Sequence, residues 1–201
     1  SHSYKIETVA EGLRNPWSIA FLPDGRALVT EREGRLRLLQ ADGKLQAAAL
    51  SGVPAVYSSG QAGLFDVLVP SNFAQTQQIF LSYACGSRST NFTCIARAKF
   101  TDQGLQDVKE IFRSQVEKSG NAHFGGRMVQ LPDSTLVLTL GDGFDYREQA
   151  QNLGNHFGKL IRINTDGTIP KDNPFNIRKD QKPEIYSYGH RNPQGATLAP
   201  D

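Results

Sequence analysis

Short apolar runs of four to seven residues recur along the chain, several of them alternating with polar positions. Alternation at period two marks strands with one face on a core, and no stretch carries the period of a long amphipathic helix. The pattern predicts strands over Tyr4–Val9, Ile19–Leu22, Ala27–Thr30 and Arg35–Leu39 in the first part of the chain. It predicts further ones over the runs IFLSYA and IARAKF, and over Val108–Phe112, Met128–Leu131, Leu136–Leu140 and Glu184–Tyr188. Asp24-Gly25, Asp42-Gly43 and Pro132–Ser134 supply turns between them. The long polar stretch from Gly141 to Gly158 reads as a loop with a short helix over Glu148–Leu153.

The runs repeat. RNPWSIAFLPDGRALVTER near the start, HFGGRMVQLPDSTLVLTL in the middle and RNPQGATLAPD at the end share one grammar, with a degenerate copy in QAGLFDVLVPSN. The copies align on Pro23, Pro70, Pro132 and Pro200, at intervals of 47, 62 and 68 residues. A third segment recurs too, as RLRLLQADGKL, ARAKFTDQGL and LIRINTDGTI. Units of this size and strand content predict an all-β fold, a β-propeller whose blades are four-stranded sheets. Residues 1–201 are expected to be one domain, cut within the fourth visible repeat and so the N-terminal part of a longer protein.

Composition narrows the possibilities. Nineteen glycines and ten prolines suit a fold with many turns. A formal charge of +2 gives no basis for a nucleic-acid partner. No apolar run approaches the ~20 residues of a helical membrane span. Cys85 and Cys94 bracket the polar turn GSRSTNFT between two strand-like runs. Antiparallel strands leaving that turn bring the sulfurs within bonding reach and predict a disulfide, hence a periplasmic or secreted protein. A pair of free thiols is the alternative.

Nine residues before the aligned prolines stand Arg14, Gln61, His123 and Arg191. Equivalent positions on axial strands form a ring, so the register predicts these four at one end of the axis. Each taken singly is equally a polar residue ending a loop. As a ring they are electropositive and suit an anionic ligand, with Asn192 beside Arg191 adding an amide to the guanidinium. His123 is the member able to exchange a proton near neutral pH, as a general base must. Gln61 is suited to orienting a hydroxyl. Asp142 and Asp145 lack a full calcium-ligand pattern and read as turn-capping residues.

GLRNPWSIAFLPDGRALVTER, GQAGLFDV, HFGGRM, LTLGDG, GKLIRINTDGTIPKDNPF and GHRNPQG together resemble the soluble pyrroloquinoline quinone-dependent sugar dehydrogenases, in particular their bacterial aldose sugar dehydrogenase branch. The motifs fall in family order over essentially the whole chain. The resemblance implies a six-bladed propeller that oxidises the anomeric hydroxyl of aldose sugars to the lactone, with hydride transfer to bound pyrroloquinoline quinone and electrons leaving to a further acceptor. It implies His123 as the base, Gln61 as a sugar contact, and Arg191 and Asn192 as cofactor contacts. It also implies calcium, with ligands from outside these residues. One departure is Ala122, where glucose-oxidising relatives carry an aspartate, which leaves the base without that neighbouring carboxylate. Two other readings are a non-catalytic secreted propeller used as a binding module and a calcium-dependent lactone hydrolase. The first is expected to lose His123 or Gln61, and the second requires acidic and amide groups at the axis.

Overall fold

A computed structural model describes residues 3–199 and is almost wholly β. The strands form three antiparallel sheets in chain order. The first contains β1 (Pro16–Phe21), β2 (Ala27–Glu31) and β3 (Arg35–Leu39). The second contains β4 (Leu64–Leu68), β5 (Gln78–Gly86), β6 (Asn91–Thr101) and β7 (Gly104–Arg113). The third contains β8 (Gly125–Gln130), β9 (Leu136–Leu140), β10 (Lys159–Ile163) and β11 (Ile185–Tyr188). The first strands are neighbours, β1 against β4 and β4 against β8, as the inner strands of successive propeller blades are. The recurring third segment supplies the third strand of every sheet, β3, β6 and β10.

Two apolar layers lie between the sheets. Leu28, Leu36 and Leu38 meet Leu64, Ile79 and Leu81 in one. Phe80 and Ile95 meet Met128, Leu136, Leu138 and Ile161 in the other. β5 is buried on both faces, which is why its sequence is apolar from Ile79 to Cys85 except at Ser82. Each such side chain removed from water contributes about 1.5–3 kcal/mol.

The inner strands are also stitched through polar groups. Each carries a bulge, between Pro16 and Ser18, Leu64 and Val67, and Gly125 and Met128. There the backbone N–H of Ser18, Asp66 and Arg127 donates to a hydroxyl on the second strand, from Thr30, Ser82 and Thr139 respectively, at 3.0 Å in each case. Those hydroxyls then donate onward to the carbonyls of Phe65 (2.6 Å), Gly126 and Pro193 (2.8 Å) in the next inner segment. Close approach is required here. A side chain on Gly126 (φ 105°) would meet the Phe65 ring at 2.7 Å.

Several expectations need correction. Tyr4–Val9 forms no strand and is exposed, because no strand among the described residues pairs with it. The first sheet has three strands, and residues 45–50 return only through the bridges Leu39–Leu45 and Leu36–Leu50. The turn after β9 is a 3-10 helix at Arg147–Gln151. A one-turn helix, α1 (Phe73–Thr76), fills the longer turn after Pro70. Pro200, the fourth aligned proline, lies outside the described residues. Cys85 and Cys94 form the expected disulfide across the β5–β6 hairpin, with Cα atoms 6.1 Å apart. No helix among the described residues is long and apolar enough to cross a membrane.

Candidate active site

The site lies where the inner strands begin. The segment before β8 brings His123 in with φ 52°, a left-handed backbone unusual for a residue with a side chain. Three contacts hold it. Its N–H donates to Gln61 Oε1 at 2.9 Å. Its carbonyl accepts from Gly143 N–H at 3.2 Å. Its ring Nδ1 lies 2.7 Å from Asp142 Oδ1. Asp142 leaves the end of β9 and is only 3% exposed, and the same oxygen accepts Phe144 N–H at 2.8 Å. A carboxylate accepts and a ring N–H donates, so neutral His123 carries its proton on Nδ1 and presents a lone pair on Nε2. Ala122 contributes no carboxylate, as expected, and the carboxylate beside the ring comes instead from Asp142, nineteen residues on.

Phe144 sits edge-on to the imidazole, with centroids 5.1 Å apart, and is itself left-handed at φ 67°. Strain at a bulky, half-exposed residue beside a histidine is characteristic of functional loops. Together Gln61, residues 119–123 and Gly143–Asp145 line an open cleft of about 290 Å³. Beneath it Lys118 is buried, its Nζ donating to the Ala122 carbonyl at 2.8 Å.

The other candidates divide. Gln61 reaches the site, bonding Asn121 O through its own N–H (2.8 Å) as well as His123 N–H through its side chain. That leaves the Gln61 amide NH2 for a ligand. The structural register places Ser18, Asp66 and Arg127 in equivalent positions, so Arg14 and His123 match while Gln61 is one residue out of step. The slip arises because β4 runs one residue fewer from its bulge to its proline. Arg191 contributes its carbonyl, which accepts Asp142 N–H at 2.7 Å. Asn192 turns Oδ1 onto Gly125 N–H at 3.0 Å, leaving its NH2 free. Arg14 anchors through its backbone to Glu31 (2.6 Å) and makes no hydrogen bond to the other three among the described residues. Arg14 and Arg191 are exposed, and neither guanidinium has a hydrogen-bond or ion-pair partner among the described residues.

The exposed Arg191 guanidinium beside the free Asn192 amide has the chemistry that an anionic ligand bearing carboxylates and carbonyls, such as pyrroloquinoline quinone, would need. Calcium is different. The one cluster of three ligand-type groups among the described residues is Cys85, Cys94 and Glu110, and its sulfurs are joined. This chain therefore offers calcium no site there.

Sequence reasoning missed Asp142 as the partner of His123, and it missed Lys118 and Phe144. For Asp142 the available signal was LTLGD, an acid just past the end of a largely apolar strand.

Comparison with known proteins bears on the family and the fold. Residues 13–201 match the family model described as Glucose / Sorbosone dehydrogenase. The "Aldose sugar dehydrogenase YliI" of Escherichia coli is 41% identical over 97% of this chain and 53% of its own length. The structure of "the soluble Aldose sugar dehydrogenase (Asd) from Escherichia coli in the apo-form" matches with a TM-score of 0.86 and 40% identity, over 92% of this chain and 54% of that one. The "PQQ-bound form of Aldose Sugar Dehydrogenase" from Streptomyces coelicolor matches with a TM-score of 0.79 and 31% identity, over 93% and 54%. The chain spans about half the length of the curated relatives it matches.

Proposed function

Because the chain belongs to the glucose/sorbosone dehydrogenase family, we propose that it forms part of an oxidoreductase converting the anomeric hydroxyl of an aldose to the lactone. The observation that carries this reading is the 2.7 Å His123–Asp142 pair, set in a cleft shared with Gln61. His123 Nε2 takes the hydroxyl proton, and Asp142 keeps the ring oriented and stabilises the imidazolium that results. The Gln61 amide holds the sugar hydroxyl. Arg191 and Asn192 would hold pyrroloquinoline quinone, the guanidinium toward carboxylates and the amide toward ring oxygens. When bound, that quinone supplies the hydride acceptor, which no side chain here can be. A separate electron acceptor, a periplasmic or secreted location and a six-bladed ring for the complete protein belong to the same reading. The calcium that the resemblance implies is expected to draw its ligands from outside these residues, and no step is assigned to it.

In the complete protein, His123→Ala is expected to lower quinone-dependent dye reduction by roughly 10²–10⁴-fold while quinone affinity, read by absorbance titration, changes little. Undiminished turnover would remove His123 from the mechanism. Hydrolysis of a lactone by the same protein without quinone would instead favour a hydrolase.

A further inference from the structure

Lys118 has no part in the chemistry above, yet it is 4% exposed. Its ammonium has one hydrogen-bond acceptor, the carbonyl of Ala122 at 2.8 Å, and lies 3.6 Å from the centroid of the Phe124 ring. These are the residues immediately before and after His123. The aliphatic stem runs beneath the next turn, so that a side chain on Gly143 would meet Lys118 Cδ at 3.2 Å. The backbone of Lys118 is fixed in turn, its carbonyl accepting Asn91 N–H at 2.9 Å from the start of β6. A buried ammonium with so few partners costs stability unless nearby charge offsets it.

We propose that Lys118 is a positioning residue for His123, locking the backbone on both sides of the ring and setting how readily the His123–Asp142 pair takes up a proton. The proposal rests on the reading of His123 as the base. Left-handed His123 needs its flanks held, and a carbonyl on one side and an aromatic face on the other provide that. The charged and titratable groups around the pair are Lys118 below, Asp142 and Asp145 on the loop after β9, and Tyr146. The Tyr146 hydroxyl accepts Ser119 N–H at 3.3 Å. Arg147 lies over the Phe144 ring at 5.4 Å, and Arg191 contributes its carbonyl. Burial pushes Lys118 down to about 8 against the opposing pull of Asp142 and Asp145. The ammonium is therefore present throughout the range in which an ordinary imidazole titrates. A positive charge held this close to the His123 backbone opposes a second one on the ring.

The test uses the complete protein. Histidine-labelled, quinone-free wild type is followed by NMR from pH 5 to 10. The His123 ring signal is expected to show a second inflection near pH 8, as Lys118 loses its proton. Lys118→Met is expected to move the acid limb of kcat/KM upward by roughly one pH unit, and Lys118→Arg to restore it. A His123 signal silent through pH 8 overturns the proposal whether or not either variant folds. So does an acid limb unmoved in a folded Lys118→Met protein. If His123→Ala keeps its activity while the wild-type inflection is present, the base assignment falls and the coupling of Lys118 to His123 stands.

Discussion

His123 is held by contacts that each fix a different degree of freedom. Gln61 fixes its N–H, Gly143 its carbonyl and Asp142 its ring. Asp142→Asn separates orientation from charge. The amide fits the same space, but it cannot stabilise an imidazolium. Turned over, it donates to Nδ1 and forces the proton onto Nε2, where the reaction needs a lone pair. We expect kcat to fall by roughly 10²–10⁴-fold at an unchanged melting temperature. A variant with wild-type kcat would show that the carboxylate serves packing alone. The sequence made His123 legible because its repeat register and its proton chemistry coincide at one residue. It left Asp142 unread because the partner comes from a different strand, and a period within repeats carries no information about contacts between loops. Arg14 shares the register but not the contacts, so equivalent positions on different inner strands need not share a site.

At the scale of elements, local chemistry was the legible part. The β8–β9 turn at Pro132–Ser134 forms where the sequence predicts it, and Asp133 explains why. Its carboxylate accepts the Thr135 hydroxyl at 2.6 Å and the Thr135 N–H at 3.0 Å, and it pairs with the buried guanidinium of Arg162 on β10. The Thr135 bonds and then Arg162 hold this carboxyl down to about 2. A carboxylate depressed below its unfolded value of 3.8 stabilises the fold above that value and ceases to as pH falls toward 2. Asp133→Asn should therefore lower the melting temperature at pH 5 and close the gap to wild type by pH 2. A gap that stays constant over that range would mean that the charge of Asp133 does not matter. Tyr4–Val9 shows the opposite case. Its alternation is as good as that of true strands, but a strand exists only with a neighbour to bond, and period two says nothing about neighbours. The slip at Gln61 has the same origin, since a proline marks the end of a strand while the bulge that sets its register leaves no letter of its own.

Across the whole molecule, the three sheets meet at one charged group. Asp66 is the single acid in the buried run LFDVL, 4% exposed. Its Oδ1 accepts Ser18 Oγ from the first sheet at 2.5 Å and Arg127 from the third at 3.0 Å, and its Oδ2 accepts Met128 N–H at 2.8 Å. Burial pushes this carboxyl up, while the Ser18, Met128 and Arg127 contacts pull it back toward the ionised form. Arg127 carries the link onward, stacking on Trp17 at 4.4 Å and donating through Nε to the Gln194 carbonyl at 3.1 Å, two residues from Asn192. The axis and the candidate cofactor contacts thus share one network. Removing the acid alone takes the carboxylate partner from Arg127 and the acceptor from the Ser18 hydroxyl and the Met128 N–H. Asp66→Ala should therefore cost about 3 kcal/mol in the complete protein. Adding Arg127→Met removes the charge left without its carboxylate, so the double variant should be less damaged than the sum of the singles, by ~1 kcal/mol or more. Trp17, the sole tryptophan, reports on this junction directly. In wild type its fluorescence and the far-ultraviolet circular dichroism should change together on heating. In Asp66→Ala the fluorescence change should come first, as the inner strands separate before the sheets melt. Additive single-variant costs with coincident transitions in both proteins would show that Asp66 is only a buried polar residue and that the apolar layers alone hold the sheets together.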